Sequence, residues 1–343
     1  MKIIAVEEHF FTRNYVQHLV SRKDYPKFEI TRDHNQSEEV RLWHSPGHYT
    51  VQEQEEWSRK LDTGEGRLRE MDEHGIAMQV LSFAAALELL EPAEGAALAK
   101  ATNDELAEIV AAHPDRFAGF AALAAQDPDG AAAELERAVT KLGLKGTKIN
   151  AHVGREFLDE EKYRVIFETA ARLGVPVYLH PMQPSPEMIK PFQAYPGLAG
   201  PIWGFAAAAG LQAIRLIYSG IFDRCPGLKI ILGHLGEALP FWLWRLDNRW
   251  ERDKITTHPL TKDLRKKPGE YLRDNFLVAT SGMFSLPAFQ CVYQELGAER
   301  IMFAVDYPNE SNRQAVQFLE QLPVSHEDKE KICHLNAERL LKL

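Results

Sequence analysis

Only three cysteines, Cys225, Cys291 and Cys333, stand in 343 residues, far apart and without a CxxC pair. That spacing excludes a disulfide framework and a thiolate metal site, and it fits a reducing compartment. Basic charge is short as well: 40 Lys and Arg against 49 Asp and Glu leave a net charge of −9. A general nucleic-acid binder or a protein of anionic membrane surfaces would carry a basic face, so neither partner is expected. Long apolar runs are missing. "AAALELLEPAEGAALAK" is interrupted by charge and by Pro92, and no run is expected to reach the roughly 18–20 residues of a membrane span. The opening "MKIIAVEEHFF" lacks the longer apolar core and small-residue cleavage site of a signal peptide, and a cytoplasmic location is expected. Glycine is missing where a dinucleotide site needs it: the first strand-like run leads into "EEHFFTRNY" rather than a GxGxxG loop.

What is present is alternation. Eight short β-like runs appear at 3–6, 78–83, 117–123, 144–150, 175–180, 229–234, 275–280 and 300–306. Helical patterns separate them. "GRLREMDEHGI" ends at Gly75. "NDELAEIVAAHPDRF" stops at Pro114. "LDEEKYRVIFETAARLG" begins with acids, which favour a helix N-terminus, and ends at Gly174, which accepts a left-handed cap. A final helix over 325–343 starts at Ser325, with Asp328 three residues on. Strands alternating with helices predict parallel βαβ units. A single-domain, distorted (β/α)8 TIM barrel over 1–343 closes such a sheet without an edge, and an open doubly wound sheet is the runner-up. The polar stretch 20–62 is too long for a simple connection and follows strand one. It is expected to be a lid or insertion over the C-terminal face.

The strand ends carry the chemistry. Side chains alternate along a strand, so Ile3, Ala5, Glu7 and His9 are expected to share one face, with Ile4, Val6, Glu8 and Phe10 on the other. Glu8 would point toward the helices. "VPVYLHP" ends in His180. "IILGHLGE" ends in His234, with Glu237 expected at the start of the next helix. "IMFAVDYP" ends in Asp306. Strands of a barrel converge at the C-terminal mouth, so Glu7, His9, His180 and Asp306 would meet there. Oxygen and nitrogen donors without sulfur suit one divalent ion, Zn²⁺ or Mn²⁺, with Mg²⁺ also admitted. An isolated histidine at a strand end more often serves the core; four chemically compatible strand ends are less easily coincidence.

With those residues in place, the chain resembles the amidohydrolase superfamily. Within it, the chain is similar to the metal-dependent non-oxidative decarboxylases of aromatic acids, such as the γ-resorcylate, 2,3-dihydroxybenzoate and 5-carboxyvanillate enzymes. "EEHF", "PDRFAGFAAL", "QDPD", "YLHP", "SGIFDRCPGLKIILGHLGEALPFWLWRLD", "SG" and "DYP" carry the resemblance. It implies a distorted barrel holding one divalent ion through Glu7, His9, His180 and Asp306, with no organic cofactor. Some relatives carry Ala where His9 stands, so three protein ligands can suffice. His234 and Glu237 would form a hydrogen-bonding pair behind the metal, and Arg245 a structural or substrate-side cation. Lys148 is not expected as a ligand in this branch. Relatives are homodimers or homotetramers.

The expected reaction is loss of CO₂ from an ortho-hydroxylated aromatic carboxylic acid. Protonating the ring carbon first avoids a free aryl anion. Asp306 is expected to deliver that proton, which asks for a raised pKa in a buried carboxyl. Phe10, Trp203, His152 and Phe284 are candidate substrate contacts. Two other readings stand beside this one. A hydrolase or hydratase would act on a lactone, amide or ring-cleavage product, with Asp306 as base. A non-enzymatic barrel would make the strand-end residues incidental.

Overall fold

A computed structural model describes residues 1–32, 38–253 and 264–343. Eight parallel strands form the central sheet: β1 (Ile4–Phe10), β2 (Met78–Phe83), β3 (Phe117–Ala122), β4 (Thr147–Asn150), β5 (Val177–His180), β6 (Ile230–Leu232), β7 (Phe276–Ala279) and β8 (Ile301–Met302). Each pairs with the next in chain order. The sheet nearly closes between its first and last members. Glu8 bridges Tyr307, Val6 N donates to Phe303 O at 3.1 Å, and His9 N donates to Tyr307 O at 2.6 Å. The distorted (β/α)8 barrel is therefore the architecture. Its distortion lies at β8, where regular pairing ends at Met302 and the chain runs on irregularly to Asp306.

Two apolar layers follow from strand alternation. Ile4, Val6, Met78, Val80, Ala118, Phe120, Tyr178, Ile231, Leu277, Ala279, Met302 and Ala304 fill the barrel, and Ala337 and Leu341 of the C-terminal segment join this cluster. Ala5, Phe10, Leu81, Phe83, Ile149, Val177, Leu179 and Phe276 face outward into the larger cluster shared with the helices. Strand β1 departs from plain alternation. Its pairing with β2 slips between Ala5 and Glu8. Ile4 and Val6 therefore fill the barrel, in place of the expected Ile3 and Ala5, while Glu7 and His9 still point inward beyond them. A bulge of this kind re-aims side chains at a barrel rim.

The helices largely follow their sequence signals. Helix Arg164–Leu173 is closed by Gly174 at φ 64°, and Ser325 caps His326–Glu330 by accepting from Asp328 N at 3.1 Å. The C-terminal segment is not one helix: a π turn at Lys331–Leu335 precedes Asn336–Leu341. Residues 20–62 hold a three-stranded antiparallel sheet (Lys27–Arg32, Glu38–Ser45, His48–Gln52) followed by helix Gln54–Leu61. Phe11, Tyr15, Phe28, Trp57 and Phe83 stack edge and face to anchor this insertion beside the ends of β1 and β2.

One segment departs from the expectation about membrane length. Pro196–Tyr218 is long and apolar enough by composition to cross a membrane, with a mean hydropathy of 1.3. In the fold it divides into a 3-10 turn, Pro196–Ala199, and helix Gly204–Tyr218. That helix buries Ala208, Ala209, Ala213, Leu216 and Ile217 in the outer core, as a barrel helix should.

Candidate active site

The inward side chains at the C-terminal mouth are polar. From β1, Glu7 and His9 enter the barrel above Val6, and both are buried. From β5, His180 reaches the same space: its Nε2 lies 3.2 Å from His9 Nε2 and 3.6 Å from Glu7 Oε1. One donor atom from each of Glu7, His9 and His180 lies within 4.8 Å of the others. Asp306 joins at the same His9 nitrogen, with Oδ1 at 3.0 Å from His9 Nε2 and Oδ2 at 3.6 Å from His234 Nε2. The two carboxylate oxygens thus face two different histidines.

Supporting contacts orient this group. Ser82 Oγ lies 3.0 Å from His9 Nδ1, which leaves Nε2 for the cluster. Tyr178 donates its hydroxyl to Glu7 Oε2. Asn309 donates to Asp306 Oδ1 at 2.8 Å. Glu7 Oε1 is buried with no hydrogen-bond partner. An orphaned carboxylate oxygen beside two imidazole nitrogens that face each other is electrostatically incomplete, and a cation completes it. The residues therefore fit a divalent ion, and the lack of sulfur agrees with the ions expected.

His234 arrives by an unusual backbone. His234, Leu235, Gly236, Glu237 and Ala238 all have positive φ, between 50° and 81°. Residues other than glycine resist this conformation by about 1–2 kcal/mol each. Glu237 therefore sits in a left-handed turn and not at the start of a regular helix, which corrects the sequence expectation. The turn is held by Gly236 N donating to Gly233 O at 2.7 Å and by His234 Nδ1 at 2.8 Å from Glu237 Oε1. It carries the imidazole over Asp306. Strain held in place by its surroundings is typical of functional sites.

Gly233 lets this turn close. A Cβ there would fall 2.8 Å from Glu7 Oε2 and 3.1 Å from both Ser281 Oγ and the Tyr178 hydroxyl. Gly233→Ala is expected to destabilise the protein by about 1–3 kcal/mol through overpacking, read as a lower denaturation midpoint. An unchanged midpoint would contradict the close approach.

Charge is distributed unevenly. Burial would raise Asp306, but hydrogen bonds from His234 and His9 outweigh it and hold the carboxyl well below its usual range. Burial would lower His234, but the Glu237 charge and the Asp306 hydrogen bond push it well above the usual imidazole range. The expected raised pKa at Asp306 is thus reversed, because two histidines face its oxygens, and the proton of this pair rests on His234. Burial raises Glu7, with His234 opposing and Asp306 reinforcing the shift. Burial, Lys148 and His9 lower His180 well below the usual value, so it presents a neutral nitrogen.

The sequence matches the amidohydrolase family over residues 17–343. It is 39% identical to the γ-resorcylate decarboxylase of Rhodococcus jostii over 83% of this chain and 89% of that one. The chain belongs to the amidohydrolase family, among its aromatic-acid decarboxylases. Two solved members of that group share the fold of this amidohydrolase. One is a dihydroxybenzoic acid decarboxylase from Polaromonas with bound manganese and the inhibitor 2-nitroresorcinol, 37% identical, with a TM-score of 0.83 over 100% of this chain and 97% of that one. The other is the 5-carboxyvanillate decarboxylase of Sphingomonas paucimobilis, 34% identical, with a TM-score of 0.87 over 100% and 99%.

Not every candidate of this amidohydrolase reaches the mouth. Glu7, His9, His180, Asp306, His234 and Glu237 come together. Phe10 does not: it is fully buried in the outer core against Phe83, as the bulged alternation of β1 requires. Phe284 packs on Phe318, also on the helical side. Trp203 is largely exposed at the N-cap of Gly204–Tyr218. Arg245 is exposed on helix Leu239–Asp253. Phe10 and Phe284 are thus turned to the helical side, while Trp203 and Arg245 are exposed. His152 is buried, with Nε2 at 2.8 Å from Gln183 O, so it braces the loop after β5.

Other residues belong to the site without having been singled out for it. Tyr178 shares a face with His180, two positions on, and alternation alone reveals it. Lys148 and Asn150 are polar inward positions in "TKIN", beside Tyr178 and His180 in register. Lys148 Nζ lies 3.3 Å from Asn150 Oδ1, and Asn150 Nδ2 donates to Glu88 Oε1 at 2.5 Å. Burial lowers Lys148 to about 8, with Glu88, Glu7 and Asp306 opposing the shift.

Proposed function

We propose that this amidohydrolase is a divalent-metal-dependent, non-oxidative decarboxylase of an ortho-hydroxylated aromatic carboxylic acid. One observation carries the reading: Asp306 turns one oxygen toward His9, beside Glu7 and His180, and the other toward His234. The names of the relatives, and the manganese in the Polaromonas structure, support the same chemistry. Nothing in the geometry favours the hydrolase or hydratase reading over it.

Glu7, His9, His180 and Asp306 would hold the ion. When bound, it supplies a template for the substrate carboxylate and its ortho oxygen and stabilises phenolate charge. The proton work falls to the protein. His234 gives its proton to Asp306, and Asp306 passes it to the ring carbon that bears the carboxylate. Glu237 holds His234 Nδ1–H in place. The ring carbon gains a C–H bond, the C–C bond to the carboxylate breaks, its electron pair restores the aromatic ring, and CO₂ leaves. The test is a panel of hydroxybenzoates with the Mn²⁺-loaded protein, with CO₂ release as readout. Release from ortho-hydroxylated acids alone is expected; none from any of them would refute the function.

Lys148 belongs to the substrate side of this proposal. Its buried ammonium acts on Glu7 and Asp306 and retains donors beyond its bond to Asn150. Directed at a bound carboxylate or phenolate, it would contribute binding. Lys148→Met is expected to raise KM about tenfold with kcat largely kept, which is about 1.4 kcal/mol of binding. An unchanged KM would remove Lys148 from the substrate side.

A homo-oligomer is part of the same reading. Helix Leu239–Asp253 exposes Phe241 (72%), Trp242 and Trp244 (73%), more aromatic surface than one helix ordinarily leaves to water. A cytoplasmic location is supported by three free cysteines.

A further inference from the structure

The second glutamate of "EEHF" makes no contact with the mouth of the barrel, yet it is 0% exposed. Glu8 points outward from β1, and its carboxylate is spent on the backbone of the last segment. Val305 N donates to Oε1 at 2.9 Å and Tyr307 N to Oε2 at 3.3 Å. These are the two amides that flank Asp306. Asp306 itself has φ 76°, a left-handed conformation that an aspartate adopts only at a cost. Regular pairing in β8 has already ended at Met302, so strand hydrogen bonds alone do not hold this stretch.

The rest of the clamp is equally buried. Arg67, 1% exposed, donates from Nη2 to His9 O at 2.5 Å and from Nη1 to Gln79 Oε1 at 3.4 Å, and its guanidinium lies 4.7 Å from the Tyr307 ring centroid. Gln79 Nε2 approaches Glu8 Oε2 at 3.5 Å. Asp306 N donates to Glu7 O at 3.0 Å, which ties the two carboxylate-bearing residues through backbone. Glu8 and Arg67 therefore grip His9, Val305 and Tyr307 together from behind the site.

We infer that Glu8 is a positioning residue: its carboxylate clamps the Val305 and Tyr307 amides, fixes the left-handed backbone between them, and so aims Asp306 at His9 and His234. The inference rests on Asp306 acting in the reaction. Removing the clamp leaves two buried amides with a poorer acceptor and lets Asp306 shift, and misplacement by about 1 Å can cost about 100-fold in rate.

The test is Glu8→Gln, which keeps shape but sets an amide NH₂ against one of the two N–H groups. Expected are a folded protein, kcat lower by about 30- to 100-fold, KM within about threefold, and Mn²⁺ affinity by calorimetry weaker by about tenfold. Phe222→Leu, in the core against Tyr271 and Phe276, serves as a destabilised control expected to keep kcat and Mn²⁺ affinity. Should the amide variant not fold, Glu8→Asp retains the carboxyl group but is one methylene short, and the same split is expected. A Glu8 variant with wild-type kcat and Mn²⁺ affinity overturns the inference, as does a loss that Phe222→Leu reproduces. Failure of both Glu8 variants to fold overturns it in favour of barrel closure alone. Asp306→Asn run in parallel separates the two claims. If it is inactive while Glu8→Gln is fully active, only the role of Glu8 falls; if it is active, the role of Asp306 falls.

Discussion

Asp306→Asn is expected to lower turnover of an ortho-hydroxybenzoate substrate by about 1000-fold or more, with the circular dichroism spectrum unchanged; loss of a positioned proton carrier is worth about 10²–10⁴-fold. The amide fills the same volume and can still accept from Asn309, which reaches Asp306 Oδ1 at 2.8 Å. It cannot carry the proton. It also removes the negative partner that, with Glu237, raises His234. Both the donor and the group that refills it are therefore impaired by one substitution. Single-turnover measurements check this directly. Turnover within about tenfold of wild type would show that the ring proton comes from elsewhere.

Chelation is expected to abolish activity, by about 100-fold at the least, and readdition of Mn²⁺ to restore it. The reason lies in the unbalanced charge at the mouth. Burial makes Glu7 costly to ionise, and the nearby Asp306 charge raises that cost further. Glu7 Oε1 has no hydrogen-bond partner. A dication relieves both problems, so the metal should stabilise the fold as well as the reaction. At a free concentration about 100 times Kd, linkage gives about 2.7 kcal/mol, visible as a higher melting temperature. Full activity in chelated protein shown to hold no metal would contradict this, as would a melting temperature indifferent to Mn²⁺.

Much of this site is legible in the amino-acid order because barrels convert alternation into convergence. The apolar runs ending in Glu7, His9, His180 and His234 identify the mouth, and so does Asp306 before "YP". Glu8 facing the helices follows from the same period of two. Elsewhere the signal is set by tertiary context. The slip between Ala5 and Glu8 shifts Ile4 and Val6 into the barrel, and no residue type marks it. Nor do "HLGEA" and Asp306 announce left-handed backbones, since His, Leu, Glu, Ala and Asp all prefer negative φ. Phe10 follows Glu8 to the helical layer by the same alternation, whereas Phe284 shows the limit for aromatics: being in the loop after a strand does not say which layer a ring enters. In 20–62, "KFEITR", "VRLW" and "YTVQ" carry β signals, but the polar surroundings read as loop until the three strands pair.

The central claim is that Glu7, His9, His180 and Asp306 share one divalent ion. Anomalous diffraction from crystals of the Mn²⁺-loaded protein tests it most directly. A single strong manganese peak is expected among Glu7, His180 and Asp306, with His9 Nε2 facing it. A peak elsewhere, or none at that position with the metal in excess, would contradict it.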